Sequence, residues 1–218
     1  MTEPFIFRGC LELPELLSFT ARDERELLEH LEHVPAESIF THTSGFLLHR
    51  AVLPEAYPND FALWVGTELR DRRLAERLAV VDLFAAGSVE AVRAELVATV
   101  EDHLRHLPSV PALVQGEPFT FLESHRIPVP TGQEASTLTE FRDALAEVDA
   151  SAVFFHLIEA RYRLGRERGD FAEWMEHAMG RPDVAERLAR VDLSVGSLER
   201  LRDRLLSVLN QTLETGAR

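Results

Sequence analysis

The chain has 218 residues and a mass of 24.6 kDa, with 45% hydrophobic and 28% charged residues, the composition of a soluble globular protein and not of a disordered one. Its 23 basic residues, all arginine, face 37 acidic ones for a net charge of −14. That balance excludes a general nucleic-acid binder or a ligand of anionic membranes, because both depend on attraction to phosphate. No apolar run approaches the ~18 residues of a membrane helix, and Met1 to Arg8 lacks the basic start and apolar stretch of a secretory signal. Cys10 is the single cysteine, so no intrachain disulfide and no cysteine-held zinc is expected, and the absence of lysine removes Schiff-base chemistry. A cytoplasmic protein fits these features.

In chain order, Glu3-Pro-Phe-Ile-Phe7 alternates and carries aromatics, which predicts a short strand. Helices are predicted near 22–33, 37–50, 60–69, 72–82 and 88–107. Pro54, Tyr57 and Pro58 mark a loop excursion within that series. A proline-punctuated linker comes next, near 108–116, then a second short strand at Glu117-Pro-Phe-Thr-Phe121 and extended chain from Ile127 to Pro130. Further helices are predicted near 137–147, 151–166, 170–179, 182–191 and 197–214. Asp60, Asp170, Ser88 and Ser197 sit where N-caps belong, and Thr137-x-x-Glu140 is a capping-box string.

The two halves resemble one another. Asp60-Phe61-Ala62-Leu63-Trp64 returns as Asp170-Phe171-Ala172-Glu173-Trp174, and Ala75-Glu76-Arg77-Leu78-Ala79 returns as Ala185-Glu186-Arg187-Leu188-Ala189. Upstream, Phe40 and His42 match Phe154 and His156, and the Glu-Pro-Phe-x-Phe strings match each other. These alignments predict a mainly α fold, a tandem duplication of a unit of about five helices with pseudo-two-fold symmetry. The copies would run 3–107 and 117–218 and pack as one globular unit, with the two short strands paired across the axis.

Within this frame, Asp60, Phe61 and Trp64, like Asp170, Phe171 and Trp174, form a structural motif: an acid at the helix start, then two aromatics three apart on one face. His42 and His156 occupy equivalent helical places, and His156, Glu159 and Arg163 fall on one stripe. An arginine fork recognises phosphate or carboxylate, so His156, Glu159 and Arg163, with His42 across the axis, form the candidate ligand-binding set for a small anionic metabolite. The bland reading of the stripe is a solvated face in which Glu159 supports Arg163. Arg161, Arg166 and Arg168 lie nearby. His49 shares the face of His42, yet neither His-x-x-x-His nor Glu-x-x-His occurs, so no bound metal and no cofactor is expected. Glycine-rich phosphate loops, Gly-x-Ser-x-Gly and His-Glu-x-x-His are absent too.

Several strings resemble a bacterial and archaeal family known only as a domain of unknown function. They are Ser38-Ile39-Phe40-Thr41-His42, Asn59-Asp60-Phe61-x-x-Trp64-Val65 and Leu74-Ala75-x-x-Leu78 in the first half. In the second they are Phe155-His156-Leu157-Ile158-Glu159-Ala160-Arg161 and Gly169-Asp170-Phe171-x-x-Trp174, with Gly169 in place of Asn and Val184 in place of Leu. The resemblance covers most of the chain and implies a fold unit, not a reaction. The functional expectation is a non-catalytic binding, regulatory or accessory helical protein with a protein partner. The alternative is an enzyme or small-anion binder with a site between the copies. A homodimer burying Phe119 and Phe121 is a further alternative.

Overall fold

The computed structural model describes residues 3–49, 57–107, 116–165, 168–193 and 197–216. The chain divides into two compact units, residues 12–125 and residues 1–11 with 126–218. The division falls inside both strands. Strand β1 (Phe5–Ala21) passes from the second unit into the first after Leu11, and β2 (Phe119–Ala135), which pairs with it, passes the other way after His125.

The first unit holds α1 (Glu24–His33), α2 (Ala36–Phe40), a π-helical turn (Thr41–Gly45), α3 (Phe46–His49) and α4 (Asp60–Trp64). A second π-helical turn (Val65–Leu69), α5 (Arg72–Leu78), α6 (Leu83–Ala86) and α7 (Val89–Arg105) complete it. Helix α1 starts because Asp23 accepts from the amides of Arg25 and Glu26, and it packs against α7 with Leu27 and Leu31 fully buried. Ser88 caps α7 as the sequence indicates, accepting from Ala91 N at 3.2 Å.

The second unit holds α8 (Leu138–Glu147), α9 (Ala150–Val153), a π-helical turn (Phe154–Glu159), α10 (Ala160–Leu164), α11 (Asp170–His177), α12 (Pro182–Ala189) and α13 (Leu198–Gly216). The predicted capping box forms: Thr137 accepts from Glu140 N, and the Glu140 carboxylate accepts from Thr137 N. Leu201, Leu205 and Leu209 give α13 a buried stripe that faces α8 and α12.

Helix predominates, and the two Glu-Pro-Phe-x-Phe segments do lead into strands that pair with each other, but the expected duplication is overturned. Tandem duplication with pseudo-two-fold symmetry is not what the chain shows. Phe5 and Phe7 pack against Phe141 and Phe171, within the second unit. Phe119 and Phe121 pack against Phe61, within the first. Residues 3–107 and 117–218 are therefore not the compact units. Nor are the strands short, since each runs for 17 residues. Their length is hidden because Pro14, Pro128 and Pro130 interrupt the pattern and the alternation fades beyond the phenylalanines. In a two-stranded sheet every strand has an open edge, where proline costs no ladder bond. Helix α6 is also additional to the predicted set, and most of the predicted linker, 108–115, lies outside the described residues, as does 50–56 of the predicted excursion.

One acidic side chain in the first unit is out of place on ordinary burial statistics. Glu24, the first residue of α1, is 2% exposed, and its Oε2 has no hydrogen-bond partner among the described residues. Burial raises its pKa above the ordinary 4.5, and the charges of Asp71 and Asp23 add to the rise, against the opposing pull of its own backbone N–H and of His103. A carboxyl with a raised folded pKa binds more protons folded than unfolded. Stability is therefore fullest below pH 4.5 for this group and falls as pH climbs through the folded value. Glu24→Gln should abolish that component. In urea melts the stability of the variant relative to the native chain should grow as pH is raised from about 4.5 to 7.5. A pH-independent difference would mean that the carboxyl titrates as if in water.

Candidate functional site

Both π-helical turns that carry histidine place it in the same setting. A π-turn inserts a residue into a helix and rotates the residues after it, and such turns concentrate at functional sites. In the first unit the ring of His42 is 3% exposed. Its Nδ1 lies 2.8 Å from Asp60 Oδ2, and its Nε2 lies 3.1 Å from the backbone N of Leu122 in β2. In the second unit His156 is 4% exposed, with Nδ1 2.9 Å from Asp170 Oδ2 and Nε2 2.8 Å from the backbone N of Arg8 in β1.

These partners settle the tautomer. A backbone N–H can only donate, so Nε2 must accept, and the ring proton sits on Nδ1, where it is donated to the aspartate. The pair resembles the imidazole–carboxylate part of a hydrolase triad. The difference is at Nε2. There a triad offers its lone pair to a hydroxyl, whereas here the lone pair holds an amide that no base of this strength deprotonates. Each imidazole links a carboxylate at a helix start to an inward-turned strand N–H.

The placement of the aspartates corrects one expectation. Asp60 and Asp170 are the first helical residues, not the caps. Asn59 is the N-cap of α4, with extended backbone and its side-chain oxygen accepting from Ala62 N, while its amide donates to Leu78 O. Gly169 precedes α11 with extended backbone and no side-chain cap. A Cβ at Gly169 would lie 2.7 Å from the carbonyl O of His156 and 3.1 Å from Leu157 Cα. The departure from Asn thus matches a place where α11 starts against the π-turn backbone. With capping done elsewhere or absent, both carboxylates are released to reach the histidines.

The tryptophans add a third tie in each unit. Trp64 Nε1 donates to Glu117 O at 2.8 Å, and Trp174 Nε1 donates to Glu3 O at 2.9 Å. Trp174 stacks on Phe141 and meets Phe5 edge-on, with Phe171 and His156 in the same cluster. Trp64 meets Phe119 edge-on, and Phe119 and Phe121 are buried against Phe61 and His42.

The other candidate residues, Glu159 and Arg163, lie at the end of the second unit's π-turn and in α10. Glu159 is buried at the end of its π-turn. Arg163 lies in α10, but its side chain is outside the described residues, as are the side chain of His49 and all of Arg166. Arg161 donates to Ala189 O at 3.2 Å, and Arg168 pairs with Glu176. An open groove of ≈ 470 Å³ in the second unit is lined by Cys10, Val129, Pro130, Thr131, Glu147 and Ser151 among others, and His156 is not on its wall. Cys10 is buried there, its Sγ 3.8 Å from Ser151 O.

The His–Asp links had one sequence signal: a histidine and an aspartate aligned in both halves. Their separations, 18 and 14 residues, match no fixed motif.

Among the described residues no helix is long and apolar enough to cross a membrane. A family model described as "Family of unknown function (DUF5752)" matches residues 2–210. The chain is 30% identical to a protein of known structure, OrfY from Thermoproteus tenax, over 96% of this chain and 95% of that one, with a TM-score of 0.81. No functionally curated protein matches it.

Proposed function

The chain belongs to the family of unknown function DUF5752, and from that premise we propose that it is a non-catalytic binding or accessory module that engages a protein partner through its strands. The observation that carries this reading is the occupancy of His42 and His156. Both Nε2 lone pairs are spent on backbone amides, so the best-placed bases in each unit are structural. The surface supports the binding half of the reading. In the first unit Leu13 and Leu16 of β1 are 54% and 74% exposed, and in the second unit Ile6 and Leu11 of β1 and Ile127 of β2 are exposed as well. Large apolar side chains on open-edged strands are a standing hazard of aggregation, retained where a partner uses them.

The test is a photo-crosslinking residue placed at Leu16 or Ile127 in the cell that naturally makes the protein, with Arg72, exposed on α5, as the control position. Discrete adducts at the strand positions, reduced by Leu13→Glu for the Leu16 probe, are the expected result. Adducts confined to Arg72, or none at the strands, would reject the reading.

A further inference from the structure

We infer that the ribbon of the first unit carries a binding site for a divalent transition-metal ion, best matched by Zn²⁺, formed by Glu15 of β1 with Glu123 and His125 of β2. Nothing in this inference depends on the accessory-module reading.

Geometry is the first argument. The three side chains each bring one donor atom into a group whose members all lie within 4.8 Å of one another. His125 Nε2 is 3.3 Å from Glu15 Oε2 and 3.7 Å from Glu123 Oε1. These separations are long for charge-assisted hydrogen bonds, which favour about 2.7–2.9 Å. They suit two ligands of one ion. With metal–nitrogen and metal–oxygen bonds of about 2.0–2.2 Å, tetrahedral geometry sets neighbouring donors roughly 3.4 Å apart.

The platform is the second argument. Glu123 and His125 are two apart on one strand, the spacing that presents side chains on the same side, and Glu15 comes from the strand paired with it. Backbone pairing thus holds the three donors without help from a loop.

Charge is the third. Glu15 and Glu123 bring two carboxylates to one spot, and like charges facing across strands are unfavourable. A divalent cation removes that repulsion. The donor chemistry selects among cations. Two carboxylates with an imidazole suit a borderline metal better than Mg²⁺ or Ca²⁺, which prefer oxygen throughout. Zn²⁺ binds such mixed nitrogen and oxygen sets tightly. Both Glu15 and His125 are largely solvent-exposed, 64% and 60%, so with three protein ligands the remaining positions stay open to water or to a donor from a partner. The sequence trace of the site is a Glu-x-His pair in strand register, a spacing that helix-based motif searches pass over.

The test is titration of the metal-free full chain with ZnCl₂, followed by calorimetry and by equilibrium dialysis, with visible spectra of the Co²⁺-loaded protein as a second readout. The expected result is one equivalent bound by the native chain. Glu15→Gln and His125→Gln should each weaken binding by more than the about 10–100-fold that loss of an outer-shell partner causes. Both substitutions are on exposed side chains, so unchanged thermal unfolding of the metal-free variants checks that the fold survives. His106→Ala is the control, because exposed His106 has a carboxylate of Asp102 3.9 Å away but belongs to no three-ligand group among the described residues. No Zn²⁺ bound by the native chain, unchanged binding by the two ribbon variants, or loss of binding in His106→Ala would each overturn the site.

Discussion

Trp174→Ala should lower the stability of the chain by about 3–5 kcal/mol, the cost of deleting a large buried aromatic. The side chain is 8% exposed, stacks on Phe141 with rings 5.3 Å apart and 15° from parallel, and meets Phe5 edge-on. It also holds Glu3 O through its indole N–H, a tie that Trp174→Phe would lose while keeping most of the packing. Urea denaturation separates the two contributions. The Phe variant should lose only about 0.5–1.5 kcal/mol, the net worth of a hydrogen bond, beyond its small loss of packing. If Trp174→Ala costs less than about 1 kcal/mol, the range of surface substitutions, the aromatic cluster does not organise the second unit.

His156→Ala is the second large effect. It removes the acceptor of the Arg8 N–H and the donor to Asp170 at a position 4% exposed. It also opens a space among Phe5, Phe155 and Phe171. A buried polar group left without its partner costs about 1–3 kcal/mol, and the lost packing raises the expected total to about 3–5 kcal/mol. His156→Gln distinguishes a structural link from mere bulk. Its side chain reaches about as far as Nε2 and can accept from the Arg8 amide, so it should recover part of the loss. Equal stability of the Ala variant and the native chain would show that the ring is not a link, and would return its lone pair to other use.

The two expected effects rest on features of unequal legibility. Capping at Ser88 and Thr137 was readable, because a cap is a contact between residues three apart and local spacing decides it. The burial of Phe61, Trp64, Phe171 and Trp174 was readable for the same reason: helical periodicity puts them on one face, and aromatics on an apolar face go inside. The choice between Asp60 and Asn59 as cap was not. Both residue types cap well, and what decided it was a histidine 18 residues away that could take the Asp60 carboxylate.

Strand length and packing lay further still from the sequence. Beyond Phe7 and Phe121 the ribbon exposes much of its length, so no alternation records it, and its prolines read as loop. The metal-binding triad escaped with it, since Glu15 and His125 are 110 residues apart and meet only because β1 pairs with β2.

By itself, then, the sequence determined what short range can carry: an acidic chain of amphipathic helices, their starts, and the aromatic faces they would bury. Only the tertiary structure decided which strand covers which face. Phe5 and Phe7 lie on the helices that come after residue 126, and Phe119 and Phe121 on those that precede it. Both sets of helices present the same Phe-x-x-Trp surface with a histidine beneath it. A strand of pattern Phe-x-Phe fits either one. Periodicity measures the fit of a side chain to a surface and is blind to which surface; chain connectivity and the pairing of two long strands make that choice.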